Sequence, residues 1–221
     1  MPPPDAASAP DAACVAGCAH GLGLSLDGAQ CERLAAFAAL LQRWGRTYNL
    51  TAILDRDQLL THHLADCLAV VAPLRRHLAT LPGRPSLLDV GSGGGLPGVV
   101  LAIACPELDV CCVDAVGKKA AFVRQVAAEL RLGNLRAEHA RVEAMAGRFD
   151  VVASRAFASL ADFVALTRAR LADNGVWMAM KGQRPDDEIA ALPGDVAVFH
   201  VEPLTVPGLG AQRCLVWMRP A

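Results

Sequence analysis

Leu87–Lys119 reads LLDVGSGGGLPGVVLAIACPELDVCCVDAVGKK. An apolar run at Leu87, Leu88 and Val90 gives way to a cluster of glycines. A second apolar run follows at Val110–Val113 and ends on Asp114. The pattern predicts strand, loop, helix, strand and then an acid. Gly91, Gly93, Gly94 and Gly95 lack a Cβ, so the loop can turn sharply and bring its backbone N–H groups close to a ligand. Pro97 suits the first turn of the helix, where its missing N–H costs nothing. Asp114 stands where a carboxylate hydrogen-bonds a ribose diol.

Two cofactors compete for this loop. Gly93 to Gly98 satisfies G-x-G-x-x-G, the dinucleotide fingerprint of NAD and FAD enzymes. The frame starting at Asp89 gives D-x-G-x-G-x-G through Gly91, Gly93 and Gly95. That pattern resembles the first motif of the S-adenosylmethionine (SAM) methyltransferases. A dinucleotide brings a pyrophosphate, which an acid entering the loop would repel. SAM brings a sulfonium and an ammonium, which the same acid favours. Asp89 therefore tips the reading toward SAM, against a glycine-rich turn in an unrelated α/β protein.

The 221 residues, 53% hydrophobic and 19% charged, suit one α/β domain with a short appendage. No apolar run approaches the ~20 residues that span a bilayer. The opening MPPPDAASAPDAACVAG has no basic segment ahead of an apolar block, so it makes a poor signal peptide. It reads as a flexible Pro/Ala tail over 1–24, and the expected location is cytoplasmic. Eight cysteines should then be free thiols. Cys111 and Cys112 read as small hydrophobes inside a strand. Cys14, Cys18, His20 and Cys31 have no standard zinc spacing, and no metal site is expected.

A net charge of −1 argues against a generic nucleic-acid binder. The distribution is less even. Lys118, Lys119, Arg124, Arg131, Arg136 and Arg141 face only Asp114, Glu129 and Glu138 in the same stretch, and further cations cluster at Arg43, Arg46 and Arg56 and at Arg75 and Arg76. A solvated helix face explains any one of them. A basic patch beside a cofactor mouth would suit a polyanion.

Leu34, Phe37, Ala38 and Leu41 mark a helix across 26–44. A second helical group spans 59–78, broken near Pro73, with Asp57 as its N-cap. Pro82, Gly83 and Pro85 punctuate the boundary, giving a helical extension at 25–84 and a nucleotide-binding domain at 85–221. A helix over 116–132 should stop at Gly133. Strands follow at 135–139, 149–154 and 176–180, with a helix at 160–171 and an Asn174-Gly175 turn. Residues 196–201 and 214–218 pair as a terminal hairpin. Strands alternating with helices imply a parallel sheet covered on both faces.

Chemistry should gather at the carboxyl ends of these strands. The loops there carry the glycines, Asp114, the Arg141-Val142-Glu143 segment and SRAFASL from Ser154 to Leu160. Arg155 directly follows an apolar strand. It either pairs with a carboxylate or binds a phosphate or ligand carboxylate in a bidentate way. Lys181-Gly182 adds a cation at the end of the fifth strand.

DVGSGGGLPG, Asp114 to Lys118, SRAFASL and MKGQ (Met180 to Gln183) occur in that order. Upstream, Trp44 to Thr51 is similar to a W-(x)3-Y-N-L-T signature, and His63 and Asp66 to an H-x-x-D element. Together they resemble the RsmG (GidB) family of small-subunit rRNA guanine N-7 methyltransferases, from about Leu26 onward. The resemblance implies a Rossmann-like class I SAM-dependent methyltransferase sheet with a small N-terminal helical extension. It implies SAM as cofactor, contacted at Gly91, Leu96, Val142, Glu143 and Arg155, beside the Asp89, Gly93 and Asp114 of the residue-based reading. The implied partner is 16S rRNA, free, in the small subunit or in an assembly intermediate. The expected protein is a monomer with no membrane association. Cys67 replaces the serine common after the H-x-x-D aspartate, and the WMRPA ending lacks the family's frequent basic tail.

Guanine N-7 carries an unprotonated in-plane lone pair, so the implied reaction needs alignment of two reactants more than a base. No catalytic base is nominated. His63 reads equally as a structural histidine. Tyr48 and Asn49 either contact the target nucleotide or cap and pack the extension. Two other readings stay open: an NAD(P)-dependent oxidoreductase, and a non-catalytic nucleotide-binding or RNA-chaperone protein.

Overall fold

The computed structural model describes residues 9–221, except 52 and 54. Its core is a seven-stranded sheet: β1 Ser86–Val90, β2 Asp109–Asp114, β3 Leu135–His139, β4 Phe149–Arg155, β5 Leu171–Lys181, β6 Val196–Leu204 and β7 Arg213–Pro220. The spatial order is β3-β2-β1-β4-β5-β7-β6. β1 to β5 pair in parallel, and β7 enters antiparallel between β5 and β6. The order reverses between β1 and β4. In open α/β sheets that reversal opens a crevice at the carboxyl ends, where ligands bind.

Period-two alternation splits the core. Leu87, Val110, Cys112, Val151 and Met178 face one layer; Leu88, Cys111, Val113, Val152 and Trp177 face the other. The central strands are apolar on both faces because helices cover both. On the first face lie α1 Ala12–Gly21, α2 Gly28–Tyr48, α5 Val71–Leu78, α6 Gly98–Ala104 and α7 Gly117–Glu129. The α6 sequence GVVLAIA is buried throughout. On the second face lie α8 Leu160–Thr167 and the flank of the short α9 Asp186–Ala190. Trp177 satisfies its buried indole N–H on the Thr167 hydroxyl, at 2.9 Å.

Several local expectations need correction. The segment taken as a flexible tail contains α1, capped by Asp11 and anchored by Val15 and Ala19, both buried on α2 and its neighbours. Residues 1–8 lie outside the described residues. The group at 56–68 is one helical run: α3 Arg56–Gln58, a π-helical segment Leu59–Ala65 and α4 Asp66–Leu68. Asp55, not Asp57, caps it. The break falls at 69–70, and Pro73 sits inside the first turn of α5, where proline is tolerated. α7 ends on a left-handed Arg131, before Gly133. Asn174-Gly175 is not a turn between elements but an irregularity inside β5, where Phe149 pairs Leu171 and Val151 pairs Val176. A Cβ at Gly175 would lie 2.9 Å from the Phe149 carbonyl oxygen, so the glycine permits close strand approach.

Candidate cofactor cleft and the hollow beside it

The glycine loop leaves β1 and folds back over β2. The Gly91 and Ser92 amides both donate to the Val113 carbonyl, at 2.9 and 3.1 Å. Gly91, Gly93 and Gly95 all take positive φ, +67°, +55° and +84°. That left-handed path is costly for residues with a Cβ. Asp114 ties the loop to the next strand: one carboxylate oxygen accepts from the Gly93 amide (3.0 Å), the other from Val116 (2.8 Å). Each oxygen keeps a second lone pair.

Gly91, Asp114, Val142 and Glu143 line one cleft of ≈ 340 Å³, together with Lys119, Phe157 and Leu166. Small-molecule sites fall in this size range. Val142, Phe157 and Leu166 supply apolar walls, and Asp114 and Glu143 supply acceptors. A Cβ on Gly93 would find nothing nearer than the Gly91 carbonyl oxygen at 4.0 Å. The space over the loop is therefore open where a ligand must approach the backbone. Acceptors for a diol, an apolar slot for a flat base and glycines at the approach fit an adenosyl group.

The other expected contacts lie elsewhere. Asp89 is fully buried beneath the loop and does not line the cleft. Its Oδ2 accepts from the Gly98 amide at the start of α6 (2.8 Å), while its Oδ1 has no partner. Burial pushes its pKa up to about 7. Asp89 thus shapes the loop from below. The Leu96 side chain is buried in the main core.

Arg155 also lies outside the cleft. It lines a neighbouring hollow of ≈ 420 Å³ with Ile53, His62, His63, Asp66, Lys181 and Arg213. Arg155 Nη1 donates to the His62 carbonyl and to Asp66 Oδ2, both at 3.1 Å; Arg213 Nε donates to Asp66 Oδ1 at 2.8 Å. Asp66 is buried, with one arginine on each oxygen. Of the two readings of Arg155, the structure shows the carboxylate pair. Ala156, left-handed at φ +53°, lines the hollow, and Phe157 lines the cleft. One turn therefore separates the two cavities. Lys181 Nζ is held by Glu188 at 2.7 and 3.0 Å.

His63 is buried between the His62 carbonyl (Nδ1, 3.0 Å) and the Thr51 hydroxyl (Nε2, 2.6 Å). The carbonyl can only accept, so Nδ1 carries the proton and Nε2 accepts from Thr51. Burial, with Arg155 adding repulsion, lowers its pKa to about 4, and the ring is neutral at pH 7. Asn49 takes the left-handed position that closes α2. Among the described residues no group of three His, Cys, Asp or Glu side chains could hold a metal ion.

Arg213 and Phe157 had no assigned role in the sequence. Arg213 precedes its apolar strand where Arg155 follows one, and only the antiparallel pairing of β7 with β5 brings the two to the same end of the sheet. Phe157 sits inside the SRAFASL loop, but nothing in its spacing says which cavity it lines.

The description "rRNA small subunit methyltransferase G" belongs to the GidB family model, which matches residues 30–216. Ribosomal RNA small subunit methyltransferase G of Acidovorax sp. (strain JS42) is 62% identical over 208 residues, covering 91% of this chain and 92% of the relative. The protein of that name from Verminephrobacter eiseniae is 58% identical over 219 residues, covering 92% of each. Among solved structures, the glycopeptide N-methyltransferase MtfA complexed with SAM superposes with a TM-score of 0.55 at 13% identity, over 69% of this chain and 94% of that one. TrmN from Thermus thermophilus gives 0.54 at 18% identity, over 73% and 53%. These two likenesses establish a class I methyltransferase fold. On the match over most of its length and the identity to its relatives, the chain belongs to the GidB family, rRNA small subunit methyltransferase G.

Proposed function

We propose that this chain transfers a methyl group from SAM to N-7 of a guanine in 16S rRNA. Family membership carries the coarser part, a SAM-dependent methyltransferase acting on small-subunit rRNA. The observation that carries the finer part is the state of the titratable groups in the acceptor hollow. His63 is neutral and locked on both nitrogens, Asp66 is clamped by two arginines, and Lys181 is held by Glu188. None of these three is poised to remove a proton, and His62, which also lines the hollow, has its Nδ1 engaged by the Thr61 hydroxyl at 2.8 Å. Methylation at guanine N-1 or N-2 needs a proton removed; N-7 needs none.

SAM supplies an electrophilic methyl when bound, and the protein's part is positioning. Asp114 and Glu143 hold hydroxyls and polar edges, the Val142–Leu166–Phe157 walls exclude water, and the glycine loop lets the ligand reach backbone amides. Fixing two reactants in line can contribute ~7–11 kcal/mol. The acceptor guanine enters the second hollow, where Arg155, Arg213 and Lys181 favour its O6. In this reading Gly93 leaves room for the ligand, Asp89 and Leu96 act through the loop, and Arg155 belongs to the acceptor side. The protein works as a monomer in the cytoplasm, with the extension starting at α1. No described helix is long and apolar enough to cross a membrane.

Two measurements test the reading. SAM should raise the melting temperature by mass action, and NADH should not. Methyl transfer to 16S rRNA, followed by mass spectrometry of the nucleosides, should yield 7-methylguanosine. A thermal shift with NADH alone, or a methyl on another guanine atom, would overturn it.

A further inference from the structure

Three of the five signature positions between Trp44 and Thr51 are already accounted for: Asn49 closes the helix, Leu50 packs inward and Thr51 binds His63. Trp44 and Tyr48 are not. They continue the buried stripe Leu34–Phe37–Leu41 of α2 past the edge of the core. Tyr48 lies two turns beyond Leu41 on the same face, about 10.5 Å along the axis. Their rings stack with centroids 5.6 Å apart and an interplanar angle of 25°. The exposed Arg43 sets its guanidinium 5.0 Å from the centre of the Trp44 ring. Both rings are partly buried against the main core, with the Trp44 indole N–H itself buried, and part of each ring reaches solvent.

Two observations argue against packing alone. The other tryptophans, Trp177 and Trp217, are 0% and 3% exposed, and Tyr48 is the single tyrosine in the chain. Among the described residues, this is the one stacked aromatic pair that is partly exposed. The spot also borders the cofactor loop: a Cβ on Gly94 would lie 2.8 Å from Leu41 Cδ2 and 3.5 Å from Leu50 Cβ.

We propose that Trp44, Tyr48 and Arg43 form a platform on which an unpaired base of the RNA substrate stacks, outside the methyl-transfer site. The inference rests on the rRNA reading above. Aromatic faces accept any base, and unpaired RNA bases are free to leave their own stack. Arg43 adds attraction to both ring and phosphate. The platform holds a neighbouring nucleotide while the target guanine sits in the hollow.

Trp44 is the one tryptophan that is not fully buried, so an RNA-induced change in intrinsic fluorescence reports chiefly on the platform. A single-stranded 16S rRNA fragment should quench wild-type emission, and Tyr48→Leu should need about tenfold more RNA, as expected for losing one base–aromatic stack. Tyr48→Phe should restore the wild-type curve, and Arg43→Gln should flatten its salt dependence. SAM affinity should hold in all three variants. Equal RNA affinity in wild type and Tyr48→Leu would overturn the platform. So would a defect seen only with assembled subunits and never with naked RNA, which would assign the face to a protein contact. Binding is read apart from methylation, so a wild type that binds RNA and transfers no methyl defeats the function and not the platform.

Discussion

Gly93 and Gly95 stand two residues apart and respond oppositely to a side chain. A Cβ at Gly93 meets open space, while one at Gly95 would lie 2.4 Å from Val99 Cγ2. Gly93→Val strains the left-handed backbone but meets no neighbour, so it should keep a native circular dichroism spectrum, lower the melting temperature modestly and lose SAM binding by calorimetry. Gly95→Val should lower the melting temperature further, before any ligand is added. Asp66 makes a second residue-scale case. Asp66→Ala strands two partly buried guanidinium groups, and breaking a buried pair in this way costs about 3–5 kcal/mol. Chemical denaturation should show the loss, with Asp66→Asn keeping part of it. Arg155 was visible in the sequence as a charge at a strand end. Its true partners were not, because Asp66 lies 89 residues before Arg155 and 147 before Arg213. Only the closed sheet brings the three together. Asp89 was legible as an acid at the loop. That it would turn inward was not, because its orientation depends on the Gly98 amide above it.

The contact between the helical extension and the glycine loop is a coupling of elements. Leu41 and Leu50 press on the loop at Gly94, so the cofactor cleft is braced from the first face of the sheet. Gly94→Val would drive a branched side chain into Leu41. It should depress stability more than Gly93→Val does, together with SAM affinity, and parallel thermal-shift and calorimetric titrations would separate the two. Periodicity revealed α2, the central strands and the hairpin because their burial is one-sided or complete, and each leaves a clear repeat. It did not reveal the π-helical segment. Leu60, Leu64 and Leu68 fit an ordinary helix on paper, and the five-residue spacing of the buried Leu59 and Leu64 is too short a trace of the wider turn to read. Nor did it reveal α1, whose Ala/Gly-rich sequence has weak amphipathicity and is held by tertiary contact.

Across the whole molecule, two buried groups pull pH stability in opposite directions. The carboxyl of Asp89 has a folded pKa raised from 3.8 to about 7, so the folded state holds its proton more tightly. Its contribution falls as pH rises through that window. His63 is lowered from 6.5 to about 4, so the unfolded state holds its proton more tightly. Its contribution is lost as pH falls from 6.5 to 4. Each shift corresponds to a few kcal/mol, and in the wild type the two largely cancel. Asp89→Asn should unmask a steep loss of stability on acidification, and His63→Gln a loss on raising the pH from 4 to 7. Urea midpoints at pH 4, 5.5 and 7 would show it, and parallel profiles in all three proteins would refute it.

The place of β7 carries a consequence for synthesis. β6 leaves the ribosome before β7, yet it touches the sheet only through β7. Until Arg213–Pro220 emerges, β5 has an open hydrogen-bonding edge and β6 has nowhere to dock. A nascent chain halted between 204 and 213 would present both, a template for pairing with other chains and a ready substrate for proteases. The final strand of the sheet thus works as a completeness check, closing the fold only around chains translated through it.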